Sequence, residues 1–542
     1  MSTRTPRGLL KGLGVLAVAA ALALGGGVAA NAAPVDQMPE SSDIIITKTE
    51  QPSTGVPANG LPQTPPGAPI KDVQFAAYPV PVAGTPGTNA WQQAMAGTTL
   101  AQAQATASAT ASFTGTTDAA GVIRWNTVPR GLYLVRETSA PAGVVRAGDF
   151  LVSVPLTDPA TAGNWLTEIY VYPKNGRSDV QKSVQNVSKL KVGDTVTWSI
   201  DTSIPDVRDP GTGAFLATDR FEIHDTLTDT QLSTTAAGVN VTSPGGFVKG
   251  AAGDYTVESV AAGSGATATT TWKVVFTASG RTKLAAALAA HAADTDPDKG
   301  PAPRVVVKID SLVKSVGEIQ NTALVFPDGS SITENKPLES QPSVVKYGSY
   351  ALRKTSEGAP NGTTPNLAGA EFMVFANEAA ARAGDPADAI KPSGNPTGVW
   401  TTDAQGRVDI SGLRYSDFAD GVLQTKFVDA PGETCADKNL GPASATCVAN
   451  AKFQTYWLVE KKALQNHQLL AEPHPFLVNA DSASTSTQTE AIVNQYNRNG
   501  FVLPLTGGTG TALLTIGGIS VLAVVLIVAR RRRRLAEAAL EQ

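Results

Sequence analysis

The stretch "SYALRKTSEG", residues 349–358, decides how its part of the chain folds. Tyr350, Leu352 and Lys354 fall on one face of an extended segment, and Arg353 falls on the other. A period of two is typical of a half-buried β-strand. The pattern therefore predicts a strand whose inward face carries a lysine, where an unpaired charge is costly.

Two later stretches also place a polar residue among inward apolar ones. In "TYWLVEKKAL", residues 455–464, Glu460 falls on the same strand face as Tyr456 and Leu458. In "EAIVNQYN", which begins at residue 490, Asn494 falls on the same strand face as Ile492. A lysine, a glutamate and an asparagine buried in one domain should meet one another or react.

The reaction open to such a set is an amide exchange. Burial lowers the pKa of an amine and raises that of a carboxylic acid, so both can be neutral in a dry core. The acid polarises the carboxamide while the amine attacks its carbonyl carbon, which expels ammonia and leaves an isopeptide bond. The alternative is an unreacted, hydrogen-bonded cluster, and the residues alone do not decide between the two.

The middle of the chain repeats this pattern in "SDVQKSVQN" (178–186), "FEIHDTL" (221–227) and "EIQNTALVF" (318–326). Alternation turns Lys182, Asp225 and Asn321 inward. Glu222 and His224 have the opposite parity and are predicted to face outward. We therefore expect Asp225 to be the acid of this second set.

A third set near the start of the chain is incomplete. "IIITKTE", beginning at Ile44, turns Lys48 inward, and "GLYLVRETSAPAG", beginning at residue 131, turns Glu137 inward. The only asparagine that follows as a partner is Asn175. We expect Lys48 and Glu137 to form an unreacted or conditional pair, with Glu137 as the candidate acid.

Length and composition indicate a mainly β protein of several domains. The 542 residues suit about three or four domains. The chain is poor in aromatic residues and rich in Thr, Ala, Val, Gly and Pro, which favours short strands and frequent turns. Its 43 basic and 47 acidic residues nearly balance, so no nucleic-acid partner is expected.

Both ends of the chain resemble targeting segments. Residues 1–32 combine basic residues, an apolar stretch and an Ala-Asn-Ala site, which is typical of a secretory signal peptide. Residues 511–529 are uncharged and long enough for a transmembrane helix. The basic tail, residues 530–542, should stay on the cytoplasmic side.

The segment before the apolar span has a specific sequence. Leu503, Pro504, Leu505, Thr506 and Gly507, followed by the span and the basic tail, resemble the LPXTG sorting signal of Gram-positive surface proteins. The resemblance implies that a membrane sortase cuts between Thr506 and Gly507 and keeps the threonyl group as a thioester. The span would then only hold the substrate for cutting.

A second motif indicates which amine receives Thr506. "EIYVYPKNG", residues 168–176, resembles the pilin motif of major fimbrial subunits, which implies that Lys174 is an exposed acceptor for the next subunit. Taken alone, the same letters also fit a strand that ends at a turn with an ordinary solvated lysine.

Further resemblances cover the body of the chain. "LAGAEFMVF", beginning at Leu367, and "YWLVEKKAL" resemble the motifs of B-type collagen-adhesin repeats, in which the glutamate, here Glu460, catalyses the bond. The loop after that glutamate departs from the repeat, because it reads Lys461-Lys462-Ala463-Leu464. "QKSV" and "IQNTA" resemble the middle domain of fimbrial backbone subunits, whose aspartate matches Asp225. The implied bonds are Lys182–Asn321 and Lys354–Asn494.

The expected fold is three tandem Ig-like or collagen-adhesin-type β-sandwich domains in an elongated rod. The expected segments are the signal peptide 1–32, the N-terminal pilin domain 33–176, the middle domain 177–346, the C-terminal domain 347–500, the sorting motif 503–507, the transmembrane span 511–529 and the tail 530–542.

The implied function is that of a structural shaft subunit of a covalently polymerised fimbria, exported and anchored to the wall of a Gram-positive bacterium, which supports adhesion. Expected partners are a pilin-specific class C sortase, other copies of the chain, minor tip and base pilins, and peptidoglycan through a housekeeping sortase. The chain would contact the membrane only before sorting. The alternative is a monomeric wall-anchored adhesin. An enzyme is disfavoured, since no catalytic constellation is visible beyond the self-catalysed bonds.

Cysteine and histidine usage adds one structural expectation. Cys435 and Cys447 are the only cysteines, and their spacing favours a disulfide over a metal site. "DTDPDKG", beginning at Asp294, lacks the glycine and glutamate of a calcium loop. The four histidines have no ligand spacing. No metal or cofactor is expected.

Overall fold

A computed structural model describes residues 37–51, 58–161, 163–209, 212–358, 366–439, 445–462, 464–482 and 490–496. The chain divides into two compact units. The first contains the residues up to 137 together with 149–173, and the second contains 138–148 together with the chain from 174 onward.

The first unit is a two-sheet domain with two short helices. Strands β1 to β9 are Ser41–Thr47, Thr49–Glu50, Gln74–Val80, Phe113–Thr116, Val122–Pro129, Gly131–Ser139, Val144–Val145, Phe150–Val154 and Glu168–Val171, and helices α1 and α2 are Asn89–Gly97 and Leu100–Thr106. The strand orders in its sheets are β5-β1-β9 and β4-β3-β6-β8. Strand β7 belongs to the second unit.

Local sequence explains the helices of this unit. Thr88 caps α1 by accepting from the Trp91 amide, and Thr99 forms a capping box with Gln102 at the start of α2. Trp91 and Met95 are buried against the sheet that contains β6. The helices therefore pack against a strand that also carries Glu137, the candidate acid of this domain.

The middle sandwich follows β10, and its elements come in this chain order. Strands β10 to β23 are Lys174–Arg177, Val180–Gln185, Thr195–Ser203, Val207–Arg208, Phe215–Leu216, Glu222–Thr228, Leu232–Ser233, Val239–Ser243, Tyr255–Ala262, Thr269–Phe276, Arg304–Val313, Gly317–Asn321, Ala323–Phe326 and Leu338–Glu339, and helices α3 and α4 are Ala278–Ala293 and Gly329–Thr333.

Two sheets of the middle sandwich share one core. One has the order β11-β12-β20-β16, with β17 also paired to β20, and the other has the order β18-β19-β15-β22-β23. Strands β12 and β20 alternate strictly between buried and more exposed residues, as expected for strands with one face in a core. Trp198 and Ile309 from the first sheet pack with Ile223 and Val325 from the second.

The C-terminal sandwich begins within a strand that it shares with the middle one. Strands β24 to β34 are Ser343–Glu357, Glu371–Phe375, Trp400–Thr401, Arg407–Arg414, Phe418–Ala419, Val422–Leu423, Phe427–Asp429, Cys447–Ala449, Tyr456–Lys462, His474–Phe476 and Glu490–Gln495, and helix α5 is Glu378–Ala383. The first part of β24 pairs with β21, and its second part pairs with β27 and β34.

The facing sheet of this sandwich has the order β26-β25-β32-β33. Leu352 of β24 and Ile410 of β27 pack against Phe372 of β25 and Leu458 of β32. Strand β34 lies parallel to β24, so the last described strand lies beside the first. This arrangement brings both ends of the domain to one sheet.

The junction between the two sandwiches consists of short, direct contacts. The Asn186 backbone amide donates to Asp420 Oδ1 at 2.9 Å, and the Asp420 backbone amide donates to Asn186 Oδ1 at 2.6 Å. The Val192 amide donates to the Gly412 carbonyl at 2.8 Å. Arg414, 1% exposed, lies at the same junction and donates to the Phe418 carbonyl. The shared strand and these contacts leave no flexible linker between the sandwiches.

The expectation of a mainly β chain with several sheets is confirmed. Within the described residues, no helix combines the length and apolar character needed to cross a membrane. The predicted signal peptide 1–32, transmembrane span 511–529 and basic tail 530–542 lie outside the described residues.

Candidate cross-link and linkage sites

The C-terminal candidate site lies on three strands. Lys354 lies on β24, Asn494 on its parallel neighbour β34, and Glu460 on β32 of the facing sheet. Leu352 is buried with Lys354, whereas Arg353 between them is exposed, as the alternation predicts. Three strands from distant parts of the sequence thus turn their polar residues into one core.

The three side chains form a closed triangle. The Lys354 ammonium donates to Oδ1 of Asn494. Nδ2 of Asn494 donates to both carboxylate oxygens of Glu460, at 2.8 and 2.9 Å. Lys354 Nζ also lies 3.7 Å from Glu460 Oε2, and neither of these two side chains is exposed to solvent. Amine, carboxamide and acid therefore meet without water.

The surroundings of this triangle favour a reactive amine. Burial lowers the pKa of Lys354 to about 8, and the negative charge of Glu460 opposes that shift. The Phe372 ring centroid lies 5.9 Å from the ammonium. The Leu470 amide donates to Glu460 at 3.0 Å and orients the carboxylate. A neutral, nucleophilic amine is thus far more populated near neutral pH than in an exposed lysine.

The middle candidate site joins the two sheets of its sandwich. Lys182 Nζ on β11 lies 2.5 Å from Asp225 Oδ2 on β15, and both side chains are almost completely buried. The ammonium also donates to the Thr322 carbonyl at 3.2 Å. The Trp198 ring lies 5.6 Å from it. Burial lowers the pKa of Lys182, and the charge of Asp225 opposes that effect.

Asn321, the third member of this set, has an unsatisfied side chain. It is 3% exposed, and neither its carboxamide oxygen nor its nitrogen has a hydrogen-bond partner among the described residues. Oδ1 of Asp225 is also without a partner there. The residue precedes Thr322, whose carbonyl contacts Lys182. A buried carboxamide without hydrogen bonds is energetically costly, and an amide bond to a nearby amine would relieve that cost.

One expectation about β15 is wrong. Glu222 has outward parity as predicted, but it is 4% exposed. Arg220 donates to one of its carboxylate oxygens at 2.6 Å, and His224 Nε2 lies 2.8 Å from the other. The His224 hydrogen bond is the largest cause of the lowered pKa of Glu222. The outward carboxylate is therefore covered by its own neighbours and remains distinct from Asp225.

The N-terminal pair lies in the core of the first unit. The Lys48 ammonium donates to Glu137 Oε2 at 2.9 Å, and neither side chain is exposed by more than 1%. The Phe75 ring lies 5.6 Å from the ammonium. Asn175, the only candidate partner in the sequence, is 1% exposed on β10. The structure therefore brings the amine and the acid together.

The predicted linkage residues have different outcomes. Lys174 is the first residue of β10 and is half-buried, contrary to the expectation of an exposed acceptor. The strand that it begins lies in a sheet, and the next two residues, Asn175 and Gly176, are buried. Burial lowers the pKa of Lys174. Leu503, Pro504, Leu505, Thr506 and Gly507 lie outside the described residues.

The predicted disulfide is confirmed. Cys435 and Cys447 are bonded, with their Cα atoms 4.8 Å apart. Both pack against Phe427 beside the β30–β31 hairpin. Within the described ranges, no group of three or more His, Cys, Asp or Glu residues is arranged to hold a metal ion.

Sequence reasoning missed several residues that complete these sites. Trp198 and Phe372 lie beside the two lysines, and their inward parity in alternating strands could have identified them. The Thr322 carbonyl and the Leu470 amide are backbone groups, so no side-chain pattern could have indicated them.

Comparison with known proteins identifies both ends of the chain. Residues 39–176 match the family described as Gram-positive pilin subunit D1, N-terminal domain. Residues 497–534 match the LPXTG cell wall anchor motif. The chain thus combines a pilin domain with a wall anchor.

Similar proteins extend this result to the whole chain. Fimbrial subunit type 1 of Actinomyces viscosus is 30% identical over 97% of this chain and 98% of its own length. Fimbrial subunit type 2 of Actinomyces naeslundii is 26% identical over 86% of this chain and 85% of its own length. The full-length major pilin SpaD of Corynebacterium diphtheriae has the same fold, with a TM-score of 0.53 and 20% identity over 85% of this chain and 98% of SpaD. The chain therefore belongs to the fimbrial subunits of Gram-positive bacteria and is a structural pilin of a cell-wall-anchored surface fimbria.

Proposed function

We propose that this pilin is the shaft subunit of a covalent fibre, in which Thr506 of one copy is joined to Lys174 of the next. The observation that carries the proposal is the buried triangle of Lys354, Asn494 and Glu460. A bond there would connect the neighbouring strands β24 and β34, at the start and end of the C-terminal domain. Such a bond suits a subunit that transmits pulling force.

The C-terminal bond would form by amide exchange within the triangle. Transfer of one proton from the Lys354 ammonium to Glu460 gives a neutral amine beside a neutral acid. A half-turn of the Asn494 carboxamide about its Cβ–Cγ bond puts its oxygen on that acid, which polarises the carbonyl. The amine attacks Cγ, the C–N bond to the side-chain nitrogen breaks, and the nitrogen leaves as ammonia with protons returned through Glu460.

The same amide exchange would form the middle bond, but its three residues start from a different arrangement. Asp225 holds the Lys182 amine at 2.5 Å, and the carboxamide of Asn321 is buried without a partner among the described residues. Asp225 would take the ammonium proton and return it to the departing ammonia. We propose a Lys182–Asn321 bond catalysed by Asp225. Lys48 and Glu137 remain a conditional pair in this proposal.

The linkage between subunits would use the sortase as an acyl carrier. The sortase cysteine breaks the Thr506–Gly507 amide and retains the threonyl group as a thioester. The Lys174 amine then attacks that carbonyl carbon, the carbon–sulfur bond breaks, and the thiolate leaves as the amine loses a proton. The lowered pKa of Lys174 favours the neutral amine that this step needs.

The proposed partners follow from this chemistry. A pilin-specific class C sortase would join copies of the chain, and a housekeeping sortase would transfer the finished fibre to peptidoglycan. Minor pilins would occupy the tip and the base. Export by the signal peptide and retention by the span at 511–529 would precede sorting.

A gel ladder of wall extracts tests the linkage. The full-length chain is expressed with its sortases as wild type, as Lys174→Ala and as Thr506→Ala. The matched control is Lys71→Ala, since that lysine side chain is 63% exposed in the same pilin domain. We expect covalent multimers in the wild type and the control, and none in the other two variants.

The outcomes separate the proposal from its alternative. A ladder that persists in Lys174→Ala would show that another amine is the acceptor. A wild-type wall extract that contains only monomer would favour the monomeric wall-anchored adhesin.

A further inference from the structure

Residues 138–148, here called the strap, leave the pilin domain and belong to the second compact unit. Val144 and Val145 of the strap form β7 and are 3% and 1% exposed. Strand β7 pairs with β10, with Val145 opposite Gly176. The Ser178 amide extends this pairing by donating to the Gly143 carbonyl at 2.7 Å. The strap is therefore a short strand added to the one that begins at Lys174.

Polar contacts fix the strap to the middle sandwich at both ends. At its start, the Ser139 hydroxyl donates to Glu334 Oε2 at 2.7 Å and accepts from Lys336 Nζ at 2.9 Å. Those two partners form an ion pair with each other at 2.7 Å. Near the other end, Arg146 Nε lies 3.5 Å from Asp328 Oδ2. One buried hydroxyl thus joins the strap to a charged pair on the loop after α4.

The strap follows a path that only glycine fits at one position. Gly143 has φ +77°, a left-handed conformation that L side chains rarely adopt. A Cβ atom there would lie 3.2 Å from Leu338 Cδ1 and 3.3 Å from the Ser178 carbonyl oxygen. The close approach is to the same residue whose amide continues the pairing with β10. An added methyl group would therefore push the strap away from that strand.

We propose that the strap is a positioning element for the fibre linkage, in which Ser139 and Glu334 hold β10 so that Lys174 is presented to the sortase from a fixed, half-buried site. This inference rests on the proposed role of Lys174 as acceptor. Gly176, the residue of β10 that lies opposite Val145, is only two residues beyond Lys174, so a displaced strap would remove one of the pairings that hold β10 in place. Loss of this pairing would loosen β10 and make its lysine more accessible to water.

The test measures the lysine itself, without a sortase. Full-length chain is purified in detergent from a strain that lacks the pilin sortase. A small acetylating reagent is added over a range of pH, and modification of Lys174 is followed by peptide mass spectrometry. In the wild type we expect the midpoint of the profile below the ordinary lysine value, because burial lowers the pKa of Lys174. In Ser139→Ala we expect it to move upward.

Matched variants separate positioning from general damage. Ser139→Thr keeps the hydroxyl and should restore the wild-type profile. Glu334→Ala should behave like Ser139→Ala, whereas Glu318→Ala should not, since Glu318 forms a similar 2.7 Å ion pair with Lys346 away from the strap. Gly143→Ala should give the largest shift.

The fibre assay supplies the second measurement. In cells with the sortases, Ser139→Ala should slow growth of the multimer ladder about fivefold, the factor expected from losing the hydrogen bonds of one buried hydroxyl. Unchanged Lys174 profiles in both Ser139→Ala and Gly143→Ala would overturn the inference. A ladder that persists in Lys174→Ala would instead overturn the assignment of Lys174 as acceptor. The acetylation profile would still show whether the strap controls the environment of Lys174.

Discussion

Glu460→Gln is the sharpest test of the proposed cross-links. The substitution keeps the size and shape of the side chain but removes the group that accepts and returns the proton. We expect the Lys354–Asn494 bond not to form. The intact mass should then rise by the mass of one ammonia, about 17 Da, less about 1 Da for the substitution itself.

The stability loss follows from the length of the loop that the bond closes. Lys354 and Asn494 are 140 positions apart. The chain-entropy relation gives about 5 kcal/mol for a loop of that size. An unfolding entropy of about 2.1 cal/mol/K per residue, over a domain of roughly 150 residues, converts this to a fall in Tm of about 15 °C.

Intact mass spectrometry and scanning calorimetry of the full-length chain, prepared without the pilin sortase, check both figures. The control is Glu371→Gln, because Glu371 lies in the same sandwich but pairs with Lys462 at the surface, 3.4 Å away. The control should keep the wild-type mass deficit and Tm. A Glu460→Gln protein with the full mass deficit of the wild type would refute the catalytic role of this acid.

Three further predictions concern the body of the chain. Asp225→Asn should raise the intact mass by that of one ammonia, about 17 Da, less about 1 Da for the substitution itself, because the middle bond then lacks its acid. In the Asn494→Ala variant, Lys354 has no partner to react with and stays a free amine. Between pH 8 and 10.5 this lysine binds more protons in the unfolded chain than in the folded domain, because burial lowers its pKa from 10.5 to about 8. The free energy of unfolding should therefore rise across that window by about 3 kcal/mol relative to Lys354→Met/Asn494→Ala, measured by denaturant titration. Cys435→Ser should lower the free energy of unfolding by about 3 kcal/mol, since the disulfide closes a short loop.

Each of these predictions has an outcome that contradicts it. An unchanged mass in Asp225→Asn would assign the middle chemistry to another group. Equal pH profiles in Asn494→Ala and its Lys354→Met double variant would show that the amine is not titrating in the folded domain. A Cys435→Ser protein as stable as the oxidised wild type would show that the disulfide contributes nothing measurable to stability.

The alternation of inward and outward residues along each strand explains how much of the candidate sites could be predicted from the sequence. Lys354, Glu460 and Asn494 interrupt alternating apolar positions, so their inward direction is readable from neighbours in sequence. Which strands lie together is not readable in this way, and that step came from resemblance to known repeats. The structure brings the three side chains into contact.

The two misses have different physical causes. Glu222 has the predicted parity, yet Arg220 and His224 cover it, and coverage depends on side chains that fold back over a strand. Lys174 is half-buried on a strand whose sheet partners come from earlier in the chain. Burial that arises from tertiary neighbours leaves no period in the local sequence.

In the proposed fibre, the continuous strand β24 sets how far each subunit can stretch. It begins beside Asn321, where Ser343 pairs with that residue, and it carries Lys354 near its other end. With both cross-links formed, a pull from Lys174 to Thr506 bypasses the bulk of each sandwich, and only about 50 of the roughly 330 intervening residues lie on the extensible path. Those residues span at most about 170 Å when fully extended. Sudden overload would therefore lengthen each subunit only by this bounded step, because the residues inside the two covalent loops, 183–320 and 355–493, would carry no load.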